Sequence, residues 1–313
     1  MPDTFFTGPP HFRWLIVLYF FIGGISGGAL LLASLLELFG THEDRPLRRL
    51  ASYLSFAGAV ASAIILIVDL GVPLRFWHML VQSETGRVMF KWWSPMSVGA
   101  WGLLVFGFFA MLATLAGLAE EGRLRWPPLR YLARPPIATI GAIGGIFGGL
   151  FLAGYTGVLL SVSNRPVWAD SSWLGLLFII SGGSTAAASL ILLVRWRRTT
   201  DPERVAWLIR FDRILLVLEL VALSIFVVSL GAAARVFLSL WGAVLVVGVV
   251  LAGIVVPLVL ELRATRRGAS VTATPFPAPL AAGLVLAGGL LLRVVVLFSS
   301  EQVQVVGHQV VRP

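Results

Sequence analysis

The chain is a succession of apolar runs separated by short polar connections. Eight runs of about 20 residues recur, at roughly 14–39, 51–70, 95–119, 137–162, 173–194, 212–230, 239–262 and 278–298. A helix of that length crosses a hydrocarbon core about 30 Å thick. Helices satisfy their own backbone polar groups in lipid, where no water does so. No connection is long enough to form a soluble domain. The pattern therefore predicts an all-α fold, a single transmembrane domain over residues 1–313 built as a bundle of eight helices.

Helix ends are marked by proline and capping residues. Ser94-Pro95 fits an N-cap and first helical position. Arg134-Pro135-Pro136 breaks the chain before the fourth run, and "TPFPAP" (274–279) precedes the eighth. "TDPERVAWLIRFD" (200–212), with Asp201 capping and Pro202 at its start, predicts a short interfacial helix ahead of the sixth run. Glycines recur at small-xxx-small spacing in "FIGGISGGALLL" (21–32) and "GAIGGIFGG" (141–149). Such faces let membrane helices approach closely, and they also leave room for a flat ligand beside the backbone. No soluble-type repeat and no convincing inverted repeat stands out.

Composition agrees: 58% of residues are hydrophobic and 12% charged, against about 25% charged in soluble domains. The net charge of +9 is not a nucleic-acid signal, because the bases sort by side. Of 24 Lys and Arg, seven fall in connections on the N-terminal side, sixteen on the opposite side, and Arg293 lies inside the last run. The positive-inside rule predicts that the sixteen-base side is cytoplasmic. Both termini and the long connection 71–94 are then outside. "MPDTFFTGPPHFRW" has no basic leader ahead of an apolar core, so the first run is expected to remain as a span. There is no cysteine, which excludes disulfides and thiolate ligation of an iron–sulfur cluster in this chain. None of the four histidines, His11, His42, His78 and His308, is central in a run, so no imidazole pair is placed to hold a transmembrane haem. No Walker A loop and no cysteine or histidine metal cluster is present.

Ionisable groups at membrane depth are expensive and mark function by default. Tyr19, Asp69, Tyr155 and Arg293 fall in one layer near the N-terminal side, at 1.5 Å per residue. Glu37, Asp212 and Glu219 fall in a layer near the basic side. Asp69 ends the second run and opens "DLGVPLRFWHML" (69–80), which adds Arg75, Trp77 and His78 within nine residues. Each has a plain alternative. Asp69 pairs with Arg75 or Arg293, Arg293 snorkels to headgroups, Tyr19 anchors in an aromatic belt, and Glu37 is a solvated helix end. Trp92, Trp93 and Trp101 fit belt and packing roles.

Several of these segments together resemble the NrfD/PsrC family, the membrane subunit of polysulfide reductase-like complexes. They are "YFFIGGISGGALLL", "DLGVPLRFWHML", "SPMSVGAWGLLVFG", "YTGVLLSVSNRPVW", "SGGSTAAASL", "FDRILLVLEL" and "GGLLLRVVVLFS". The resemblance covers all eight runs, and the 69–80 block is its most specific part. It implies a multi-pass subunit of the bacterial or archaeal cytoplasmic membrane that binds menaquinone or menaquinol non-covalently, without haem or an iron–sulfur cluster of its own. It implies a docked ferredoxin-like iron–sulfur subunit on the outer face, usually wired to a molybdopterin catalytic subunit. The site residues it implies are Asp69, Arg75, His78 and Tyr155. In the family a polar pair in the first span, one member a histidine, helps hold the quinone; here that span offers only Tyr19 and Ser26.

A quinol needs hydrogen-bond partners at two oxygens and a route for two protons. Asp69, His78 and Tyr155 are thus the expected catalytic set. Tyr19, Ser26, Arg75, Trp77 and Arg293 join them as expected quinone contacts, and Glu37, Asp212 and Glu219 form an expected proton path. Two other readings stay open. Buried charge at two depths also suits an ion-coupled transporter, and an inert anchor that only holds a partner on the membrane is the other.

Overall fold

A computed structural model describes residues 13–124, 126–197, 202–266 and 277–310. Its long helices are α1 (Trp14–Phe39), α2 (Arg45–Asp69), α3 (Pro95–Glu120), α4 (Ile137–Ser161), α5 (Leu174–Arg197) and α6 (Pro202–Ser229). They continue with α7, which runs through Leu240–Ala243, Val244–Val255 and Val256–Arg266, and α8 (Pro277–Val310). Seven of these are long and apolar enough to cross a membrane, and α6 with a segment bent from it by 109° makes the eighth. The all-α membrane fold expected from the pattern is the fold observed.

The predicted punctuation holds where it is described. Ser94 caps α3, its hydroxyl accepting from Ser97 N at 3.4 Å, and Pro95 follows at the first helical position. α4 starts directly after Pro135-Pro136. Asp201 and residues 274–276 lie outside the described residues. One expectation is corrected. Among the described residues there is no separate interfacial helix ahead of the sixth span, because α6 runs unbroken from Pro202 for 28 residues. No proline or glycine interrupts residues 203–229, and a break there would leave backbone groups unsatisfied next to lipid. At 1.5 Å per residue α6 is about 42 Å long, so its first turns stand beyond the apolar layer.

The spans form two four-helix bundles of the same up-and-down order. α1 packs on α2 and α4, and α3 closes the first bundle between α2 and α4. α5 packs on α6 and α8, and α7 closes the second. The bundles meet where α1 and α4 lie against α5. The seam is narrow because glycines line it: a Cβ on Gly28 would sit 2.5 Å from the Gly182 carbonyl oxygen. Gly28 and Gly182 belong to matching stretches, "ISGGALLLASL" in α1 and "ISGGSTAAASL" in α5. The two stretches stand in the first helix of each bundle.

Ion pairs fasten the ends. On the basic face Arg48 of α2 bridges Glu37 of α1 and Glu120 of α3, so Glu37 is paired rather than solvated. Arg204 of α6 reaches Asp44 at 2.5 Å and also Glu43, joining the two bundles. On the N-terminal face the connection between α4 and α5 is clamped to the end of α8. There Arg165 donates to Ser300 Oγ at 3.3 Å, and Trp168 Nε1 donates to the Val296 carbonyl at 2.7 Å.

Candidate functional site: a cavity in the first bundle

Asp69 is the last residue of α2. Gly71 follows with φ +74, a left-handed conformation that glycine adopts without steric cost. It turns the chain so that Pro73 opens a 3-10 helix, Pro73–Met79, laid across the end of the bundle. Beyond it, Val81 bridges Val88, and Met89 N donates to the Leu80 carbonyl at 2.7 Å. Residues 80–89 therefore fold back on themselves instead of hanging free.

Beneath this roof lies a cavity of about 540 Å³ between α1, α2, α3 and α4. Its walls are almost wholly apolar. Phe76, Met79 and Leu80 close the top, and the side chains with titratable groups that line it are Tyr19, Asp69 and Tyr155. The size lies within the range of about 300–1,000 Å³ usual for small-molecule sites, which are apolar with a few placed polar groups. Val60, Leu104 and Phe108 line the cavity yet are 43%, 48% and 51% exposed. They stand on the outward flanks of α2 and α3, so the cavity opens sideways between those helices.

Each polar group is fixed by its helix. Tyr155 is pinned. Its hydroxyl donates to the Pro95 carbonyl at 2.6 Å, its ring stacks on Phe151 at 5.2 Å and 19°, and it fills the space where a Cβ on Gly99 would stand. With its proton committed to Pro95, the Tyr155 oxygen offers lone pairs to the cavity. The Tyr19 hydroxyl makes no hydrogen bond among the described residues, so it can donate or accept. Asp69 has no ion pair and no side-chain hydrogen bond among them. Its carboxyl sits at a helix C-terminus, where the helix dipole opposes negative charge. A hydrogen-bond donor entering the cavity is the partner it lacks.

Other predicted site residues are elsewhere. Arg75 and Trp77 are exposed on the outer side of the 3-10 helix, and His78 packs edge-on against Trp77 at 4.0 Å. None of the three lines the cavity. A 3-10 turn brings every third residue to the same side, so Phe76 and Met79 face the cavity while Arg75, Trp77 and His78 do not. Ser26 is buried at the α1–α2 contact, where its hydroxyl donates to the Ser55 carbonyl at 2.6 Å. Arg293 neither snorkels nor pairs with Asp69. It is fully buried between the bundles, its Nε donating to the Phe20 carbonyl at 3.3 Å. The inner layer also divides, with Glu37 in the first bundle and Asp212 and Glu219 in the second. Gly99, Phe76 and Met79 belong to the site although nothing in their residue types announced it.

Comparison with known proteins decides the family. The sequence profile of the family described as "Polysulphide reductase, NrfD" matches residues 4–305. The chain belongs to the NrfD family. Among NrfD-type relatives, a polysulfide reductase polypeptide of Wolinella succinogenes is 28% identical over 70% of this chain and 69% of its own length. Protein NrfD of Escherichia coli is 26% identical over 92% of this chain and 94% of its own length. A selenate reductase subunit of Mesobacillus selenatarsenatis is 30% identical over a shorter stretch, 24% of this chain and 18% of its own length. The protein is thus a multi-pass membrane protein of the NrfD type, a family whose character fits the membrane subunit of a redox complex.

Proposed function

We propose that this NrfD-family protein is the quinol-binding subunit of a respiratory oxidoreductase, exchanging electrons between menaquinol and an iron–sulfur subunit docked on the N-terminal face. The observation that carries this is the cavity: apolar, of ligand size, open to the bilayer, and holding Tyr19, Asp69 and Tyr155. The names of the relatives, one a polypeptide of a polysulfide reductase and one a subunit of a selenate reductase, support membership of a multi-subunit reductase. The terminal substrate is then handled by a partner, with a molybdopterin subunit the expected one. The charge sorting supports an orientation with both termini and the 71–94 roof outside and the basic connections in the cytoplasm of a bacterial or archaeal cell.

The residues divide the chemistry. Oxidation of a quinol releases two electrons and two protons, and leaves the quinone. Tyr155 accepts a hydrogen bond from one quinol hydroxyl, because its own proton is held by Pro95. Asp69 accepts the two protons one after the other and passes each to the nearby outer surface, while Tyr19 can donate a hydrogen bond to a quinone carbonyl in the reverse direction. Both electrons go to the partner's clusters over the roof. An inert anchor would have no use for such a cavity.

The test is a titration of the purified full-length protein with a fluorescent quinol-site inhibitor. Saturable quenching, weakened by Tyr155→Phe and Tyr19→Phe, is the expected result. Non-saturable quenching in the wild type, both for the isolated protein and for its assembled complex, would sink the reading.

A further inference from the structure

At the basic face the two bundles are parted by a groove of about 690 Å³ between α1 and α6. Both helices pack on α5 but not closely on each other. Towards the groove α1 turns Leu32, Leu35, Leu36 and Phe39, which share one face of a helix. Opposite them α6 turns Arg204, Trp207, Arg210 and Phe211, again one face. Phe39 is 79% exposed and Trp207 43%, so these faces lack cover among the described residues. The mouth is charged. Arg204 spans it to Asp44 at 2.5 Å and to Glu43, and Glu203 stands beside Arg204. Arg210 stands deeper, and it makes no ion pair and no hydrogen bond among the described residues.

The depth of Arg210 in the membrane follows from the length of α6. That helix is about 42 Å long, and the apolar layer is about 30 Å thick. After Ser229 the chain bends by 109°, which sets that end of α6 at the N-terminal boundary. The excess of about 12 Å therefore lies on the basic side, and about eight residues at 1.5 Å each carry it from Pro202 to Arg210. Arg210 thus stands at the level of lipid headgroups, with Trp207 in the layer where indole rings gather. A guanidinium there is a ready partner for a phosphate. The carboxylates of Glu203 and Asp44 stand farther out. From the bilayer outwards the groove reads as apolar wall, then cation, then acid. A base that served only to mark the basic side would need no apolar trough beneath it.

We propose that this groove holds one phospholipid of the ethanolamine type, with its chains on the leucine face of α1, its phosphate on Arg210 and its ammonium between Glu203 and Asp44. The order of charges selects the headgroup. In such a lipid the phosphate lies next to the chains and the ammonium lies beyond it, which matches Arg210 followed by the carboxylates. A glycerol headgroup supplies the phosphate but no cation for the acids. A choline headgroup carries methyl groups and has no N–H to give them, whereas a primary ammonium has three donors. The net charge agrees as well: Arg204 and Arg210 face Asp44 and Glu203, and a zwitterion leaves that balance undisturbed. Seated there, the lipid joins α6 to the first bundle together with the Arg204 clasp. The groove is on the face opposite the cavity, and the inference does not rest on quinol binding.

The test is native mass spectrometry of the purified full-length protein, titrated in detergent with dioleoyl phosphatidylethanolamine, phosphatidylcholine or phosphatidylglycerol. The wild type is expected to retain one ethanolamine lipid in preference to the other two. Arg210→Gln should weaken that retention about tenfold or more, the loss of one hydrogen bond between charged groups. Glu203→Gln should erase the preference over the glycerol lipid. Arg130→Gln, which alters an exposed base elsewhere on the same face, should change nothing. Equal retention of all three lipids by the wild type would overturn the proposal. So would ethanolamine retention that Arg210→Gln leaves unmoved, or an equal loss in Arg130→Gln. The thermal midpoint gives a second reading on the same samples. The ethanolamine lipid should raise it in the wild type and not in Arg210→Gln; a rise of the same size in both would count against the site.

Discussion

Replacing Gly99 by alanine tests the cavity at its most tightly built point. A Cβ there would stand 2.6 Å from Cε1 of Tyr155 and still nearer the phenol end, so the ring cannot stay in place. Either α3 and α4 part, an overpacking cost of about 1–3 kcal/mol, or Tyr155 swings away and loses its bond to Pro95, about 0.5–1.5 kcal/mol. Better helix propensity returns about 1 kcal/mol. The net fall in stability is therefore small, and the effect concentrates on the ligand. Losing one hydrogen bond from Tyr155, about 0.5–1.5 kcal/mol, raises the dissociation constant about 2- to 12-fold. Quench titration of a quinol-site inhibitor reads this directly. Gly107→Ala is the control, because Gly107 also lines the cavity but a Cβ there meets nothing within 4 Å. It should leave the dissociation constant unchanged. Wild-type affinity in Gly99→Ala would refute the placement of ligand against Tyr155. Equal weakening in both would show that any change to α3 suffices.

Asp69→Asn keeps the shape of the cavity and a hydrogen-bonding side chain but cannot take a proton. Inhibitor affinity should stay within about tenfold, one hydrogen bond's worth, while steady-state quinol oxidation by the complex collapses; normal turnover would remove Asp69 from the proton route. His78→Ala should leave inhibitor binding unchanged in the same titration, since the imidazole faces Trp77 and not the cavity. A clear loss of affinity there would mean that the roof rearranges around the ligand. Arg48→Ala unpairs Glu37 and leaves Glu120 to Arg49 alone on the basic face, and should cost about 1.5–3 kcal/mol, the range for hydrogen bonds to charged groups. That is measured as a lowered thermal midpoint in detergent with inhibitor affinity preserved; an unchanged midpoint would mean the cluster does not hold the helix ends.

The helices were legible because membrane spans announce themselves by length and because Pro95, Pro136 and Ser94 punctuate them. Their grouping was not. Lipid and protein interior are equally apolar, so the hydrophobic periodicity that betrays the inward face of a soluble helix is absent here. The two bundles follow instead from small residues such as Gly28 and Gly182, whose role shows only when helices are paired. The site was half legible. Tyr19, Asp69, Tyr155 and Arg293 stand out as polar groups at one membrane depth, but depth does not say which helices meet: the first three line the cavity and Arg293 packs between the bundles. Arg75, Trp77 and His78 are close to Asp69 in sequence, but the 3-10 helix after Gly71 keeps them out of the cavity that Asp69 lines.

The sideways opening between α2 and α3 sets the unit in which any ligand of the cavity must be counted. A molecule entering past Val60, Leu104 and Phe108 arrives from the bilayer, so its supply is its mole fraction in lipid and not its concentration in the surrounding water. Its long tail can remain among the acyl chains while only the head is enclosed, which makes occupancy indifferent to how many isoprenoid units trail behind. Diluting proteoliposomes with buffer should then leave occupancy untouched, whereas adding lipid at fixed total ligand should empty the site.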